Sequence, residues 1–248
     1  MKGLKGKSVI VTGACSGIGR AIAERLDAEG MQLMLADLDE APLHELADEM
    51  TAGTLIHAGD LSEEGIARDL IAKTVDGLGG VDVLVNNAGG GVIRPFLDHD
   101  AASFTATLNR NLWTTLWCCH AALPHMIENK WGRIINIGAD SVRNGLWHHA
   151  GYNAAKGGVH GLATGLAREF AEAGITVNTV APCMIATPPV KLAMMQGHEI
   201  IKKFTDVIPM GRAGEVEEVA SMVAYLATPE ASFVTGQTIS VNGGSTML

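Results

Sequence analysis

Seven short apolar segments of strand length recur along this chain, and stretches with helical periodicity separate most of them. The segments are SVIVT (8–12), QLMLA (32–36), TLIHA (54–58), VDVLVN (81–86), RIINIG (133–138), ITVNTV (175–180) and QTISV (237–241). They are apolar nearly throughout, which is typical of strands that are covered on both faces. This β-α-β-α order predicts an α/β fold, with a mostly parallel sheet between two layers of helices.

Composition narrows the classes of partner. The chain has 248 residues, 47% of them apolar, which predicts a single domain over 1–248. A net charge of -9 without a basic run argues against nucleic acid and against an anionic membrane surface. Since no stretch approaches the roughly 18 apolar residues of a membrane helix, we expect a cytoplasmic protein.

The four cysteines have neither a CxxC nor a Cys/His spacing. That spacing would be needed for a structural zinc site. We therefore expect reduced packing residues and no metal ion.

A glycine-rich turn follows the first predicted strand, in VIVTGACSGIG. Gly13 can turn the chain sharply, Gly17 lets a phosphate approach backbone N–H groups, and Gly19 lets the helix pack on the strand. A pyrophosphate would then meet a helix N-terminus. The spacing is G-x-x-x-G-x-G rather than G-x-G-x-x-G, so the turn alone is a weak signal.

An acidic residue, Asp37, ends the next predicted strand 18 residues after Gly19. A carboxylate there accepts hydrogen bonds from an adenosine ribose and repels the additional phosphate of NADP. No Arg or Lys lies in 31–42, which predicts NAD as the cofactor. The alternatives are that Asp37 only caps a turn, or that Asp39 takes the ribose role.

Together with NNAG (86–89) and YNAAK (152–156), these motifs occur in the order and spacing of the short-chain dehydrogenase/reductase family. The chain resembles that family from GKSVIVTG to SVNGG, essentially its whole length. The resemblance implies a Rossmann-type, doubly wound sheet of about seven strands, and NAD-dependent oxidation of a secondary alcohol. The residues that it implies around the dinucleotide are Gly13, Cys15, Ser16, Gly17, Ile18, Gly19, Asp37, Leu38, Asp60, Leu61, Asn87, Ala88, Gly89, Tyr152, Lys156, Pro182, Ile185 and Thr187. Asn86 and Asn87 could instead be turn formers only.

Tyr152 and Lys156 lie one helical turn apart. A free tyrosine has a pKa of about 10, too high for a proton acceptor near neutrality. The charge of a lysine at i+4, with that of an oxidised nicotinamide, is expected to lower the pKa of the phenol. Tyr152 is therefore the candidate general base for an alcohol, or general acid for a carbonyl.

Asn111, in LNRNLW, matches the family asparagine that helps a water molecule connect the lysine to solvent, with Asn109 as a near neighbour. The alternative is a helix residue that bonds only to backbone.

The family's substrate-positioning serine is replaced in this chain. It normally stands 13 residues before the tyrosine, where Ala139 is found. The nearest hydroxyl is that of Ser141, which strand alternation would place on the same face as residue 139. Three interpretations stay open: Ser141 substitutes, the chain uses Asp140 or water, or alanine marks an inactivated protein. Ser141 is our fourth catalytic candidate, and a non-catalytic dinucleotide-binding relative is the alternative function.

The proline-rich segment 183–214 is predicted to be a substrate lid, because a long excursion of this kind is more often a binding element than a connector. An ordinary surface helix is the alternative. Its start, VAPCMIATP, resembles the family's PG segment with Cys183 in place of glycine.

The residues expected to touch substrate are Ala139, Ser141, Trp147, His148, Met184 and Met194, with Arg94 and His149 as further neighbours. An aromatic wall beside histidine or arginine suits a cyclic or aromatic alcohol or diol. The alternative is that Trp147 packs at a subunit contact and the histidines are solvated.

Two apolar helical stretches, 101–128 and 152–173, resemble those that build four-helix dimer contacts in the family. They imply a homotetramer, with a dimer as the alternative, and the expected partner is a small-molecule substrate. A nucleotide-sugar epimerase is disfavoured, because 248 residues leave little room for a separate substrate domain.

Overall fold

Seven parallel strands form one sheet in the computed structural model, which describes residues 1–15 and 17–247. The strands are Ser8–Thr12 (β1), Gln32–Asp37 (β2), Leu55–Ala58 (β3), Val83–Asn86 (β4), Gly132–Ile137 (β5), Ile175–Pro182 (β6) and Thr238–Val241 (β7). Their spatial order is β3-β2-β1-β4-β5-β6-β7. Every apolar segment predicted to be a strand is one.

Helices connect these strands. They are Gly17–Ala28 (α1), Glu40–Glu49 (α2), Glu64–Leu78 (α3), Ala101–Leu108 (α4), Thr114–Glu128 (α5), Ser141–Asn144 (α6), Ala150–Phe170 (α7), Pro188–Met195 (α8), Glu199–Asp206 (α9) and Val216–Ala227 (α10). A π-helical turn, Asn109–Trp113, joins α4 to α5. Within residues 1–15 and 17–247, no helix is both long and apolar enough to cross a membrane.

The core consists of two apolar layers, one on each face of the sheet. Along β1, Val9 and Val11 pack on one face with α1 and α10. Ile10 points to the other face, where α3, α5 and α7 cover the sheet. Side chains alternate in this way because successive Cβ atoms of a strand point to opposite faces. The predicted doubly wound fold of three layers is confirmed.

The winding of the chain reverses at β1, which pairs with β2 on one side and with β4 on the other. In open parallel sheets, ligands bind beside the carboxyl ends of the strands at such a switch point. The loops that follow β1, β4, β5 and β6 all leave the sheet at this edge, and they carry most of the residues singled out from the sequence.

Candidate active site

The glycine-rich turn after β1 packs against the loop after β4. Gly13 and Gly17 both have left-handed backbone, with φ of 63° and 53°. A Cβ on Gly13 would lie 2.8 Å from Cα of Ala88, and one on Gly19 would collide with the Gly13 carbonyl oxygen. Glycine is therefore required by conformation and by space. Ser16, also predicted to contact the dinucleotide, lies outside the described residues.

Asn87 connects these two loops. Its Nδ2 donates to the carbonyl oxygens of Thr12 (3.1 Å) and Gly13 (2.9 Å). Asn86 is the last residue of β4, and its Nδ2 donates to Asn136 Oδ1 on β5 at 2.9 Å. Both asparagines therefore tie the ends of strands together, in addition to any role in the turn.

Asp37 lies beside the glycine-rich turn. Its Oδ2 accepts a hydrogen bond from the backbone N–H of Cys15 (2.9 Å), and its Oδ1 accepts one from Leu38 N (2.8 Å). Burial first, and then the Asp37 charge, raise the pKa of the Cys15 thiol to about 12, so this cysteine stays protonated. Leu38 is exposed and supplies no positive charge.

Asp60 lies at the neighbouring strand end, because Gly59 N donates to the Asp37 carbonyl oxygen at 2.9 Å. Its Oδ1 accepts from Ser62 N (2.9 Å), while the Leu61 side chain is buried. The predicted adenosine-binding residues thus lie at adjacent strand ends.

Asn111 and Lys156 meet at Gly89. A Cβ on Gly89 would lie 2.8 Å from Asn111 Oδ1 and 3.2 Å from Lys156 Nζ. Asn111, within the π-helical turn, is fully buried, and its Nδ2 donates to the carbonyl oxygens of Gly90 (2.8 Å) and Thr107 (2.8 Å). Its side chain therefore bonds to backbone, and this fixes the loop over Lys156.

Tyr152 and Lys156 lie on α7 at the end of β5. Lys156 is buried, and its Nζ donates to the Ile137 carbonyl oxygen at 2.7 Å and lies 5.9 Å from the centre of the Tyr152 ring. A Cβ on Gly91 would lie 2.5 Å from Tyr152 Cδ2, so the loop after β4 also holds the phenol. Sequence reasoning missed Gly91, although it follows the NNAGG motif by only one residue.

Burial dominates the protonation of this pair. It raises the pKa of Tyr152 to about 12 and lowers the pKa of Lys156 to about 8. In the chain by itself, desolvation of the phenolate therefore outweighs the charge of Lys156. The predicted lowering of the Tyr152 pKa, which includes the charge of an oxidised nicotinamide, stays a prediction.

The segment after β5 does not follow the alternation that pointed to Ser141. The strand ends at Ile137 and Ser141 begins α6, so residues 139 and 141 do not share a strand face. The Ser141 hydroxyl donates to Asn153 Oδ1 at 2.6 Å, and Asn153 Nδ2 donates back to the Ser141 carbonyl oxygen at 2.8 Å. Ser141 thus fastens α6 to α7, and the argument for it as the replacement hydroxyl is lost.

Asp140 anchors the C-terminal segment. It is fully buried, and its Oδ2 accepts hydrogen bonds from Asn242 (3.0 Å), Ser245 (2.6 Å) and Thr246 (2.9 Å). Its Oδ1 accepts from Arg143 at 2.9 Å. Both carboxylate oxygens are occupied in this way, so the interpretation in which Asp140 replaces the serine also loses its support.

The His160 side chain contacts the backbone at Ala139. The Ala139 N–H donates to His160 Nε2 at 3.3 Å, and a Cβ on Gly138 would collide with the same nitrogen. An accepting Nε2 requires a neutral ring, and burial above all lowers the pKa of His160 to about 4. This residue was missed from the sequence, although it continues the i, i+4 series of Tyr152 and Lys156.

The segment after β6 returns to the glycine-rich turn. A Cβ on Gly17 would lie 3.0 Å from Thr187 Cγ2, so Thr187 borders the predicted phosphate site. Pro182 is the last residue of β6, Cys183 Sγ donates to the Asn242 carbonyl oxygen (3.3 Å), and Ile185 is buried.

The residues predicted to touch substrate differ in their exposure to solvent. Trp147, His148 and Met194 are exposed, and Lys203 Nζ lies 4.9 Å above the Trp147 ring. Ala139 is buried and Met184 half-buried. Arg94 donates to the Asp98 carbonyl oxygen at 3.3 Å.

His149, rather than His148, contacts the tyrosine. Its ring centre lies 6.0 Å from that of Tyr152 and 5.3 Å from that of Phe204 on α9. His148 has a left-handed backbone (φ 65°), a conformation that the sequence does not reveal.

No group of three or more His, Cys, Asp or Glu side chains suited to a metal ion occurs among residues 1–15 and 17–247. The polar groups that converge at this edge of the sheet are an amide, an ammonium and a phenol. Such groups can bind and orient a polar ligand, and they can transfer a proton.

The chain is similar to known dehydrogenases and reductases along nearly its whole length. A family model described as enoyl-(acyl carrier protein) reductase matches residues 13–246. A 2,3-dihydroxy-2,3-dihydro-p-cumate dehydrogenase from Pseudomonas putida strain F1 is 57% identical, covering 99% of this chain and 96% of the relative. A 1,6-dihydroxycyclohexa-2,4-diene-1-carboxylate dehydrogenase from Pseudomonas putida is 38% identical, covering 98% and 94%. A 3-oxoacyl-(acyl-carrier-protein) reductase from Vibrio cholerae is 36% identical, covering 99% of both.

The low pKa of His160 predicts a specific loss of stability in acid. The ring has a pKa of 6.5 when unfolded and about 4 when folded, so the unfolded chain binds the extra proton between these values. The contribution is complete above pH 6.5 and is lost as the pH falls towards 4. It should amount to on the order of 2 kcal/mol in the free energy of unfolding.

Urea unfolding of the wild type and of His160→Gln at several pH values measures this contribution. The variant should lose less stability between pH 6.5 and 4, and His44→Gln, altered at an exposed histidine on α2, should behave as the wild type does. Parallel curves for the wild type and His160→Gln would contradict the assignment.

Proposed function

The chain belongs to the short-chain dehydrogenase/reductase family, and we propose that it oxidises a ring bearing two adjacent hydroxyl groups, with NAD as hydride acceptor. The observation that carries the proposal is the convergence of Tyr152, Lys156 and Asn111 on the loop after β4, at the switch point of the sheet. The substrate class is supported by the relative at 57% identity, whose name specifies a dihydroxy-dihydro ring compound.

The residues at the strand ends fit a dinucleotide. The turn between β1 and α1 contains two left-handed glycines and would present backbone N–H groups to a pyrophosphate, and Thr187 borders the same turn. Asp37 and Asp60 lie at adjacent strand ends, where they would hold the adenosine half. Lys156 has one donor engaged at Ile137 and two that remain for the nicotinamide ribose. When bound, NAD supplies the hydride acceptor and a positive charge near the phenol.

In the proposed oxidation, Tyr152 Oη takes the proton of the reacting hydroxyl while the hydrogen on that carbon leaves as hydride. Lys156 contributes a fixed positive charge that favours the phenolate. Asn111 holds the loop that covers the lysine. The ring thereby loses two hydrogens, and a dihydrodiol that loses them becomes a catechol once the resulting ketone enolises.

We further propose that segment 183–214 closes over substrate. Phe204 on α9 is buried against His149, which in turn contacts Tyr152. The same segment begins at Cys183 beside the C-terminal residues that Asp140 holds. A lid in this position would shield the reacting hydroxyl from water.

We infer that the protein assembles as a homotetramer and that it is cytoplasmic. Trp113, beside α5, is 43% exposed and stacks on Trp117 at 5.6 Å, an apolar surface suited to contact with another copy. All four cysteines are free thiols, which is typical of a reducing compartment.

Replacing Tyr152 by phenylalanine tests the proposed function. The wild type should reduce NAD with a ring dihydrodiol. Tyr152→Phe should lower kcat by about 10³-fold, since general acid–base catalysis contributes roughly 10²–10⁴-fold. NAD binding, measured by calorimetry, should change less than about threefold. The control is Tyr225→Phe on α10, the other tyrosine of the chain, which should keep full activity.

Turnover by Tyr152→Phe at the wild-type rate would contradict the mechanism. If the wild type binds NAD but turns over no dihydrodiol, the chain would be a non-catalytic dinucleotide-binding relative.

The choice of NAD over NADP is tested at Asp37. Asp37→Asn keeps an oxygen for the Cys15 N–H but removes the negative charge that repels the 2′-phosphate of NADP. The ratio of kcat/KM for NAD to that for NADP should fall by about 100-fold or more, a change of about 2.7 kcal/mol. Asp39→Asn, at the exposed N-cap of α2, should leave the ratio unchanged. The reverse pattern would assign cofactor choice to Asp39.

A further inference from the structure

Ala139 has no side-chain hydroxyl to bind substrate, at the position where the family has a serine. Ser141 donates to Asn153, and both carboxylate oxygens of Asp140 accept from other side chains. The Ser141 hydroxyl therefore has no hydrogen left to donate to a substrate, and Asp140 is fully buried among its partners. A diol has a second hydroxyl that also needs a partner once water is excluded, because an unpaired buried hydroxyl is costly.

His149 is the imidazole in contact with the catalytic tyrosine. It is the N-cap residue of α7, three positions before Tyr152. Its ring meets Tyr152 edge to face (6.0 Å, 76°) and Phe204 in the same manner (5.3 Å, 79°). The imidazole therefore lies between the proton acceptor and the wall of the proposed lid.

The tautomer of His149 follows from its neighbour. Nδ1 lies 2.7 Å from the Trp147 carbonyl oxygen, which can only accept, so Nδ1 carries the hydrogen. Burial lowers the pKa of His149 from its ordinary value, which disfavours the protonated ring. Nε2 is then a hydrogen-bond acceptor, and within residues 1–15 and 17–247 no protein donor reaches it.

An accepting nitrogen cannot serve the hydroxyl that is being oxidised. That hydroxyl has one hydrogen, which it must direct to Tyr152 Oη, and a second acceptor would compete for it. The adjacent hydroxyl of a diol has a hydrogen to spare. His148, the residue before His149, has a left-handed backbone (φ 65°), and strained conformations of this kind are concentrated at functional sites.

We propose that His149 Nε2 accepts a hydrogen bond from the non-reacting hydroxyl of a vicinal ring diol. This inference rests on the proposed function and adds the residue that distinguishes a diol from a mono-alcohol. Phe204 supplies the apolar surface for the ring beside that hydroxyl. His149 is thus a specificity-determining residue in place of the serine that this chain lacks.

His149→Phe tests the inference, because phenylalanine keeps an aromatic ring between Tyr152 and Phe204 but offers no acceptor. We expect kcat/KM for a ring dihydrodiol to fall by about 30-fold, the size expected when one hydrogen bond to substrate is lost in a buried site. For a ring alcohol without the second hydroxyl, kcat/KM should change less than about threefold. Where that alcohol is not turned over, its inhibition constant against the dihydrodiol is compared instead.

Two further variants complete the experiment. His149→Gln offers an amide oxygen as acceptor and should recover part of the loss on the diol. His44→Phe makes the same change at an exposed histidine on α2, outside the site, and should match the wild type.

Equal losses on the diol and on the mono-alcohol would show a merely structural role for His149, and no loss on either would show no role. Either result overturns the inference while the proposed function stands. Failure of the wild type itself to oxidise any dihydrodiol would overturn the proposed function, and the inference with it.

Discussion

The site depends on one buried ammonium group held at the end of a strand. Lys156 Nζ donates to the Ile137 carbonyl oxygen, the last residue of β5, and this contact fixes α7 against the sheet. Gly89 can have no side chain, because a Cβ would crowd both Lys156 and Asn111. The same contact also positions Tyr152, because Tyr152 lies one helical turn before Lys156 on the same face of α7.

Burial sets the chemistry of this pair before any ligand is considered. A buried phenol with a pKa of about 12 is almost fully protonated near neutral pH and so cannot accept a proton, and a buried lysine with a pKa of about 8 holds its proton only moderately well. Both groups are destabilised in their charged forms, as desolvation requires. A further positive charge in the same low-dielectric site would favour the phenolate strongly. We therefore infer that the ionisation of Tyr152 is coupled to binding of the oxidised cofactor.

Most of the fold could be predicted from the sequence, because parallel strands buried on both faces are apolar along their length. The seven segments are strands in the structure, and the glycine-rich turn, Asp37 and the Tyr152–Lys156 pair meet at one edge of the sheet. The spacing of these residues along the chain was sufficient to predict these features.

The interactions that could not be predicted are long-range or conformational. Asp140 holds residues about 100 positions away, and no pattern in the sequence pairs them. The prediction for Ser141 requires β5 to continue past Ile137, whereas the strand ends there and Ser141 begins α6. His149 rather than His148 contacts the tyrosine, and His148 has a left-handed backbone, which the sequence does not reveal at a single position.

The most direct measurement is a phenolate titration of Tyr152 by ultraviolet absorbance in a Tyr225→Phe chain, where it is the sole tyrosine. With the protein alone the pKa should be about 12. With saturating NAD it should fall below about 10, since a nearby opposite charge lowers a pKa by roughly 1–3. An identical pKa with and without NAD would contradict the account.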